Sequence, residues 1–187
     1  MGSSVLAAVL FLAALNGVAA EVSGVQLPDR TQVESRDLVL NGAGLRKRFF
    51  IGVYVIGLYL PEKKSDAAAA LALPGPKRVS IRMLRDVGAD TFAEALVEGL
   101  KANQSPADYR ALEPRVQALT DIMAQVKEAK KGMAIALDWT GDATRVSIDG
   151  RAAGQPIAGE DFYRALLRIW LGVHPVQEDI KQHLLGR

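Results

Sequence analysis

The sequence predicts one α+β domain: an antiparallel β-sheet accompanied by a central group of helices and a C-terminal pair of helices. Segments in both halves of the chain either alternate between apolar and polar residues or are apolar throughout, as strands are. Other segments place apolar residues three and four apart, which is the spacing of a helix face. The chain has 187 residues, of which 49% are hydrophobic, and this is enough for one core.

The composition excludes several classes of protein. The formal net charge is only +2, whereas a nucleic-acid surface needs clustered positive charge, so we expect no nucleic-acid partner. The sequence has no cysteine, which excludes disulfides, thiolate chemistry and iron–sulfur clusters. Both histidines, His174 and His183, lie near the C-terminus without the spacing of metal ligands. We therefore expect no bound metal and no cofactor.

The N-terminus has the pattern of a secretory signal peptide. Residues 5–15 are uncharged and apolar, too few to span a bilayer as a helix, and small residues follow at 18–20. We expect a signal peptide over residues 1–20, cleaved after Ala20, and one mature domain over 21–187 in the periplasm or outside the cell. No later run reaches transmembrane length. The alternative is a buried N-terminal helix, because residues 1–4 carry no Lys or Arg.

The N-terminal half is predicted to contain three strands. Residues 22–27 and 37–40 are short β-branched stretches, and residues 41–44, NGAG, are predicted as a turn. Residues 49–60 read FFIGVYVIGLYL and are apolar at both odd and even positions, so a strand here is covered on both faces. A buried helix is the rival interpretation, but two glycines and the density of valine, isoleucine and tyrosine favour a strand.

The central segments predict a strand among helices. Residues 66–73 are alanine-rich and indicate a short helix, and residues 77–84 alternate like a half-buried strand. Thr91-Phe92-Ala93-Glu94 matches a capping box and is predicted to open a helix. Ser105-Pro106 is predicted to begin a longer helix, since serine caps helix N-termini and proline suits the first turn.

The C-terminal third predicts further strands and two helices. Residues 133–139 and 144–148 are predicted strands, and Asp149-Gly150 indicates a tight hairpin leading into residues 151–153. Residues 162–171 form an amphipathic pattern, and a final helix is predicted to end at 185–186.

One charged cluster lies beside the doubly apolar strand. Arg46, Lys47 and Arg48 immediately precede it, and the strand contains Tyr54. Cations at the mouth of an apolar layer suit the capture of a carboxylate on an apolar molecule. The alternative is a solvated hairpin tip, which is the more common role of a charged turn.

Four segments resemble the chalcone isomerase-like superfamily: NGAGLRK, GVYVIGLYL, MLRDVGADTFAEALVEGL and IWLGVHPVQEDIKQHLLG. The third segment looks more like the fatty-acid-binding branch and the bacterial exported members than like the plant flavonoid enzyme. The resemblance implies an open-faced β-sandwich, in which a large antiparallel sheet carries a layer of helices on one face. It also implies a ligand cleft between the sheet and the helices.

The resemblance assigns positions in this sequence to the plant enzyme's catalytic residues. Arg46 matches its catalytic arginine, and Tyr54 stands at its threonine, where fatty-acid binders carry a tyrosine. Gly88 falls near its tyrosine, Ala95 on its asparagine and Ile169 on its C-terminal threonine. One catalytic position of five is therefore kept.

We expect an exported protein that binds a small apolar carboxylate, with a fatty acid as the first choice. Arg46 would pair with the carboxylate and Tyr54 would donate a hydrogen bond, which requires a turn between them at Lys47-Arg48 or nearby. The apolar lining is predicted to include Ala95, Leu96, Leu100 and Ile169. Two alternatives remain open: an isomerase or lyase that uses Arg46 as electrophile on an unknown substrate, and a non-catalytic accessory module. No protein partner is indicated.

Overall fold

A computed structural model of the chain describes residues 17–187. Its strands are β1 (Val18–Val22), β2 (Val25–Pro28), β3 (Arg30–Val33), β4 (Arg36–Arg48), β5 (Ile51–Leu60), β6 (Lys77–Met83), β7 (Val87–Gly88), β8 (Glu128–Ala129), β9 (Ala134–Trp139), β10 (Ala143–Ile148) and β11 (Arg151–Ala158). Its helices are α1 (Ala67–Ala72), α2 (Ala89–Ala102), α3 (Pro106–Ala124), α4 (Glu160–Leu171) and α5 (Glu178–Leu184). Both the α+β class and the large antiparallel sheet are confirmed.

The main sheet has seven strands in the order β11-β10-β9-β6-β5-β4-β3, and every neighbouring pair is antiparallel. Two further two-stranded sheets, β1-β2 and β7-β8, lie outside it. Among residues 17–187, no helix is both long and apolar enough to cross a membrane.

Strand β5 is covered on both faces, as its sequence predicts. Its even-numbered side chains, including Tyr54 and Ile56, pack in the core formed with the helices. On the other face, Val55 and Tyr59 pack in a second core with Leu27 of the β1-β2 hairpin. The hydrophobic effect therefore fixes a layer on each side of this strand.

Two of the N-terminal predictions are wrong. The strand predicted over residues 22–27 is a hairpin, because the chain turns at Ser23 and Gly24, both in the left-handed region. The turn predicted at residues 41–44 is continuous strand within β4. Gly42 is needed for helix packing and not for a turn, because a Cβ on this residue would overlap the carbonyl oxygen of His183 in α5.

The two glycines of β4 differ in how closely α5 approaches them. A Cβ on Gly44 would lie 3.4 Å from the Cβ of His183, an ordinary contact, whereas one on Gly42 meets backbone atoms that cannot rotate away. Asn41 secures the same junction, since its side chain donates to the carbonyl of Leu184 at 2.6 Å.

Two of the three helix starts predicted from the sequence are confirmed. Asp66 and Ser105 cap α1 and α3 by accepting from backbone N–H groups, as expected of such residues. The capping box at residues 91–94 is wrong, because α2 begins earlier, at Ala89, and Gly88 gives it no side-chain cap. The Ala89 N–H is satisfied instead by the carbonyl of Lys127, beside the β7-β8 pair.

The C-terminal elements are found close to their predicted places. The turn at Asp149-Gly150 joins β10 to β11, although β11 continues to Ala158, well beyond the predicted residue 153. Helices α4 and α5 pack against the rest of the core through side chains such as Leu166 and Ile180.

We predict that Gly42→Ala lowers the free energy of unfolding by about 1–3 kcal/mol, because the added methyl overpacks the contact with α5. Gly44→Ala is the matched control on the same strand, and it should change that free energy by less than about 0.5 kcal/mol. Urea denaturation followed by circular dichroism measures both. Equal losses in the two variants would contradict this account of the glycines.

Candidate functional site

A cavity of about 330 Å³ lies between the sheet and the helices, where the ends of β4 and β5 approach α2 and α4. Five chain segments contribute to its walls. The lining residues are Arg46, Arg48, Val53, Tyr54, Arg85, Asp86, Val87, Gly88, Thr91, Phe92, Ala95, Leu96, Ile169, Trp170 and Val176.

The register of the β4-β5 hairpin brings Arg46 and Tyr54 together. The two residues are direct partners across the strands, because the chain reverses at Phe49 and Phe50. The required turn therefore exists, two residues later than Lys47-Arg48, and the predicted strand at 49–60 begins at Ile51 instead. Residues eight apart in sequence are thus cross-strand neighbours, at about 4.5–5.5 Å between Cα atoms.

Tyr54 is buried at the inner end of the cavity with its hydroxyl between two donors. The indole N–H of Trp170 donates to the Tyr54 oxygen at 3.1 Å. Burial raises the pKa of Tyr54, and the hydrogen bond from Trp170 and the nearby Arg46 guanidinium offset this only in part. Tyr54 is therefore protonated at neutral pH. Indole and guanidinium groups have no acceptor, so neither neighbour receives the phenol proton.

Arg46 is held at the cavity by the first residues of the α5 segment. Its Nη1 donates to the side-chain oxygen of Gln177 at 3.3 Å and also to the carbonyl of Lys47. Gln177 in turn accepts from the Lys47 N–H at 2.8 Å and donates to the carbonyl of Leu45 at 3.0 Å. Among residues 17–187, no ion pair neutralises Arg46, so its charge is available to a ligand.

Apolar side chains form the remaining walls. The ring of Phe92 meets that of Tyr54 edge-on, with centroids 6.4 Å apart. Ile169 lies close over α2 because Gly99 has no side chain: a Cβ there would be 2.8 Å from Ile169 Cγ2. Leu96 and Ile169 are buried and line the cavity, as predicted. Leu100, also predicted to line it, is fully buried in the core and does not reach the cavity.

Residues 19–186 match the profile of a family described as chalcone isomerase-like. The chain belongs to the chalcone isomerase-like family. Its fold is similar to the crystal structure of the Arabidopsis thaliana fatty-acid binding protein AtFAP1, with a TM-score of 0.68 and 15% sequence identity. The similarity covers 87% of this chain and 92% of that one, which confirms the chalcone isomerase-like fold. No curated protein matches the chain.

The five positions at which the family resemblance predicts counterparts of the plant enzyme's catalytic residues all line this one cavity: Arg46, Tyr54, Gly88, Ala95 and Ile169. Two are polar, and they are the adjacent pair on β4 and β5. The other three contribute no side-chain hydrogen-bonding group, and two of them are small. The chalcone isomerase-like cavity of this chain is therefore polar at one end and mainly apolar along its walls.

Several site residues escaped the sequence analysis. Trp170 lies within the amphipathic pattern of residues 162–171, which by itself indicates only a helix face, and no local pattern marks Gln177. Arg85 and Asp86, at the rim, belong to the segment RDV that carried the family resemblance, which is the one signal that could have identified them. The carboxylate of Asp86 accepts a hydrogen bond from the Lys131 N–H at 2.7 Å, which holds this side chain in place.

Proposed function

We propose that this protein binds a small apolar carboxylate, with a fatty acid as the first choice. The observation that carries the proposal is the pair of donors at the polar end of the cavity. The Arg46 guanidinium has no carboxylate partner among residues 17–187, and the phenol proton of Tyr54 has no acceptor in its two donor neighbours. A carboxylate, which only accepts hydrogen bonds, satisfies both.

The apolar walls favour a ligand with a hydrocarbon body. Phe92, Leu96, Ile169 and Val53 surround the space beyond the donors. The volume of about 330 Å³ falls within the range of roughly 300–1,000 Å³ found for small-molecule sites. The similarity of the fold to that of a fatty-acid binding protein also supports this choice of ligand.

An isomerase or lyase acting on an unknown substrate is the second candidate, because Arg46 is also the residue that could act as an electrophile. Stabilising an enolate needs several positioned donors. Gly88, Ala95 and Ile169 bring no side-chain donor at the positions where the resemblance places donors of the plant enzyme, so binding is the better supported function.

The proposal predicts that Arg46→Ala weakens binding of a long-chain fatty acid about ten- to hundredfold, since a charged hydrogen bond contributes about 1.5–3 kcal/mol. Tyr54→Phe removes a neutral hydrogen bond and should cost about two- to tenfold. Isothermal titration calorimetry measures both, and the corresponding fatty alcohol, which is uncharged, should lose much less affinity with Arg46→Ala than the fatty acid does.

Two controls match these variants. Arg36→Ala removes an exposed arginine at the far end of β4, and Tyr109→Phe alters a tyrosine outside the cavity, so both should retain full affinity. Because Tyr54→Phe leaves the Trp170 N–H without its acceptor, its unfolding must be measured in parallel. Equal affinity in wild type, Arg46→Ala and Tyr54→Phe would refute carboxylate capture, and no binding by wild type would favour the accessory module.

We also propose that the chain is exported and cleaved after Ala20. The apolar run at residues 5–15 and the small residues before Glu21 support this. The predicted signal peptide lies outside the described residues except for 17–20, and the last three of these belong to β1. N-terminal sequencing of the exported protein should begin at Glu21, and a sequence beginning at Met1 would reject the proposal.

A further inference from the structure

The tip of the β4-β5 hairpin exposes large apolar side chains to solvent. Phe49 is 87% exposed, Phe50 is 99% exposed and the adjacent Ile51 is 54% exposed. Among the side chains whose exposure the structure describes, Val173 is the only other large hydrophobic residue with comparable exposure. Scattered apolar residues are ordinary at a protein surface, but three consecutive ones at the end of a hairpin indicate an interaction site.

The backbone of the tip is strained as well as exposed. Phe49 adopts φ = +57°, in the left-handed region that glycine and asparagine adopt readily and that a bulky aromatic residue rarely does. A turn selected for stability alone would carry glycine or asparagine there. Phe49 is therefore unfavourable at this position both because its ring is exposed to water and because its backbone is in the left-handed region. This points to a role other than stabilising the fold.

The tip also extends beyond its neighbours in the sheet. Strand β3 pairs with β4 only as far as Val39, and β6 pairs with β5 only from Tyr54 onwards. The last backbone hydrogen bond on that side joins Leu84 to Val53. The two phenylalanines thus lie at the end of an arm that no other strand flanks.

Positive charge accompanies these apolar residues. Lys47 and Arg48 are exposed on the arm itself, and Arg85 is exposed at the cavity rim beside them. Two carboxylates lie nearby: Asp86, and Asp179, whose pKa is lowered mainly by the hydrogen bond from Gln177 and also by Lys47. No acidic residue occurs on the arm between Leu45 and Val53, so the arm itself is cationic.

We propose that this tip docks on a phospholipid bilayer containing anionic lipid. The phenylalanines enter the headgroup region while Lys47 and Arg48 contact lipid phosphates, which is the pairing of aromatic and basic residues used by interfacial membrane anchors. A protein partner is a poorer match, because two rings bury about 150–250 Å² each, far below the roughly 800 Å² per partner of a stable interface. A bilayer needs no matching groove.

Docking in this orientation brings the cavity to the membrane. Arg48 and Val53 belong to the arm and also line the cavity, so its mouth lies beside the docked tip. The docking does not require a ligand in the cavity, and it is measured without one.

Co-sedimentation with vesicles tests the proposal. Wild-type protein should bind vesicles of phosphatidylcholine with phosphatidylglycerol and bind pure phosphatidylcholine much less. Phe50→Ser should lower the partition coefficient about tenfold or more, since burying one phenylalanine contributes at least that factor. Lys47→Gln with Arg48→Gln should lower it about thirtyfold, taking ~1 kcal/mol per basic side chain and 1.4 kcal/mol per tenfold.

Matched controls separate the tip from general surface properties. Val173→Ser removes an exposed apolar residue that does not line the cavity and lies beside His174, which is hydrogen bonded to Asn103 at the C-terminal end of α2. Arg30→Gln with Arg36→Gln removes two exposed charges at the opposite end of β3 and β4. Both controls should bind vesicles like wild type. Phe50→Ser should also keep its affinity for fatty acid, because Phe50 does not line the cavity.

Two results would overturn the proposal. One is wild-type protein that does not bind anionic vesicles, or binds them equally well after Phe50→Ser. The other is a wild-type dimer, detected by analytical ultracentrifugation, that becomes monomeric in Phe50→Ser, because the tip would then serve a second copy of the chain. Neither result would affect the fatty-acid titration, so the two proposals fail independently.

Discussion

The register between β4 and β5 determines the chemistry of the cavity. Because the chain reverses at Phe49 and Phe50, Arg46 becomes the cross-strand partner of Tyr54. A shift of one residue would turn one of these side chains to the opposite face of the sheet, where the β1-β2 hairpin packs. The register in turn depends on the covering of β5 on both faces, since each face has its own apolar partners.

The site combines a fixed polar end with apolar walls. Gln177 holds the end of β4 against α5 and positions Arg46, while Trp170 orients the hydroxyl of Tyr54 by donating to its oxygen. Both supporting contacts are made by residues more than a hundred positions away in sequence. Preorganised donors lose little entropy when a ligand binds, so this arrangement suits recognition of one end of a molecule.

The sequence predicts best where a local rule decides the structure. The doubly apolar β5, the serine cap of α3 and the turn at Asp149-Gly150 each follow from a few adjacent residues, and each is confirmed. Five of the six residues predicted to contact the ligand lie on the cavity wall: Arg46, Tyr54, Ala95, Leu96 and Ile169. Leu100, the sixth, lies one helical turn beyond Leu96 and is buried in the core instead.

The predictions fail where a segment distant in the sequence determines the local structure. Glycines at 42 and 44 indicate a turn locally, but Gly42 is needed for the close approach of α5, which lies some 140 residues later. The start of α2 is set by the β7-β8 pair and the carbonyl of Lys127, which replace the expected cap at Thr91. The partnership of Trp170 with Tyr54 likewise has no local sequence pattern.

The most direct test of the account observes the carboxylate itself. A fatty acid labelled with carbon-13 at its carboxyl group can be titrated by NMR while bound to the protein. Arg46 favours the ionised form of a nearby carboxyl, so Arg46→Ala should raise the pKa of the bound carboxyl above its value in the wild-type complex. A bound carboxyl whose pKa is unchanged by Arg46→Ala would contradict the account.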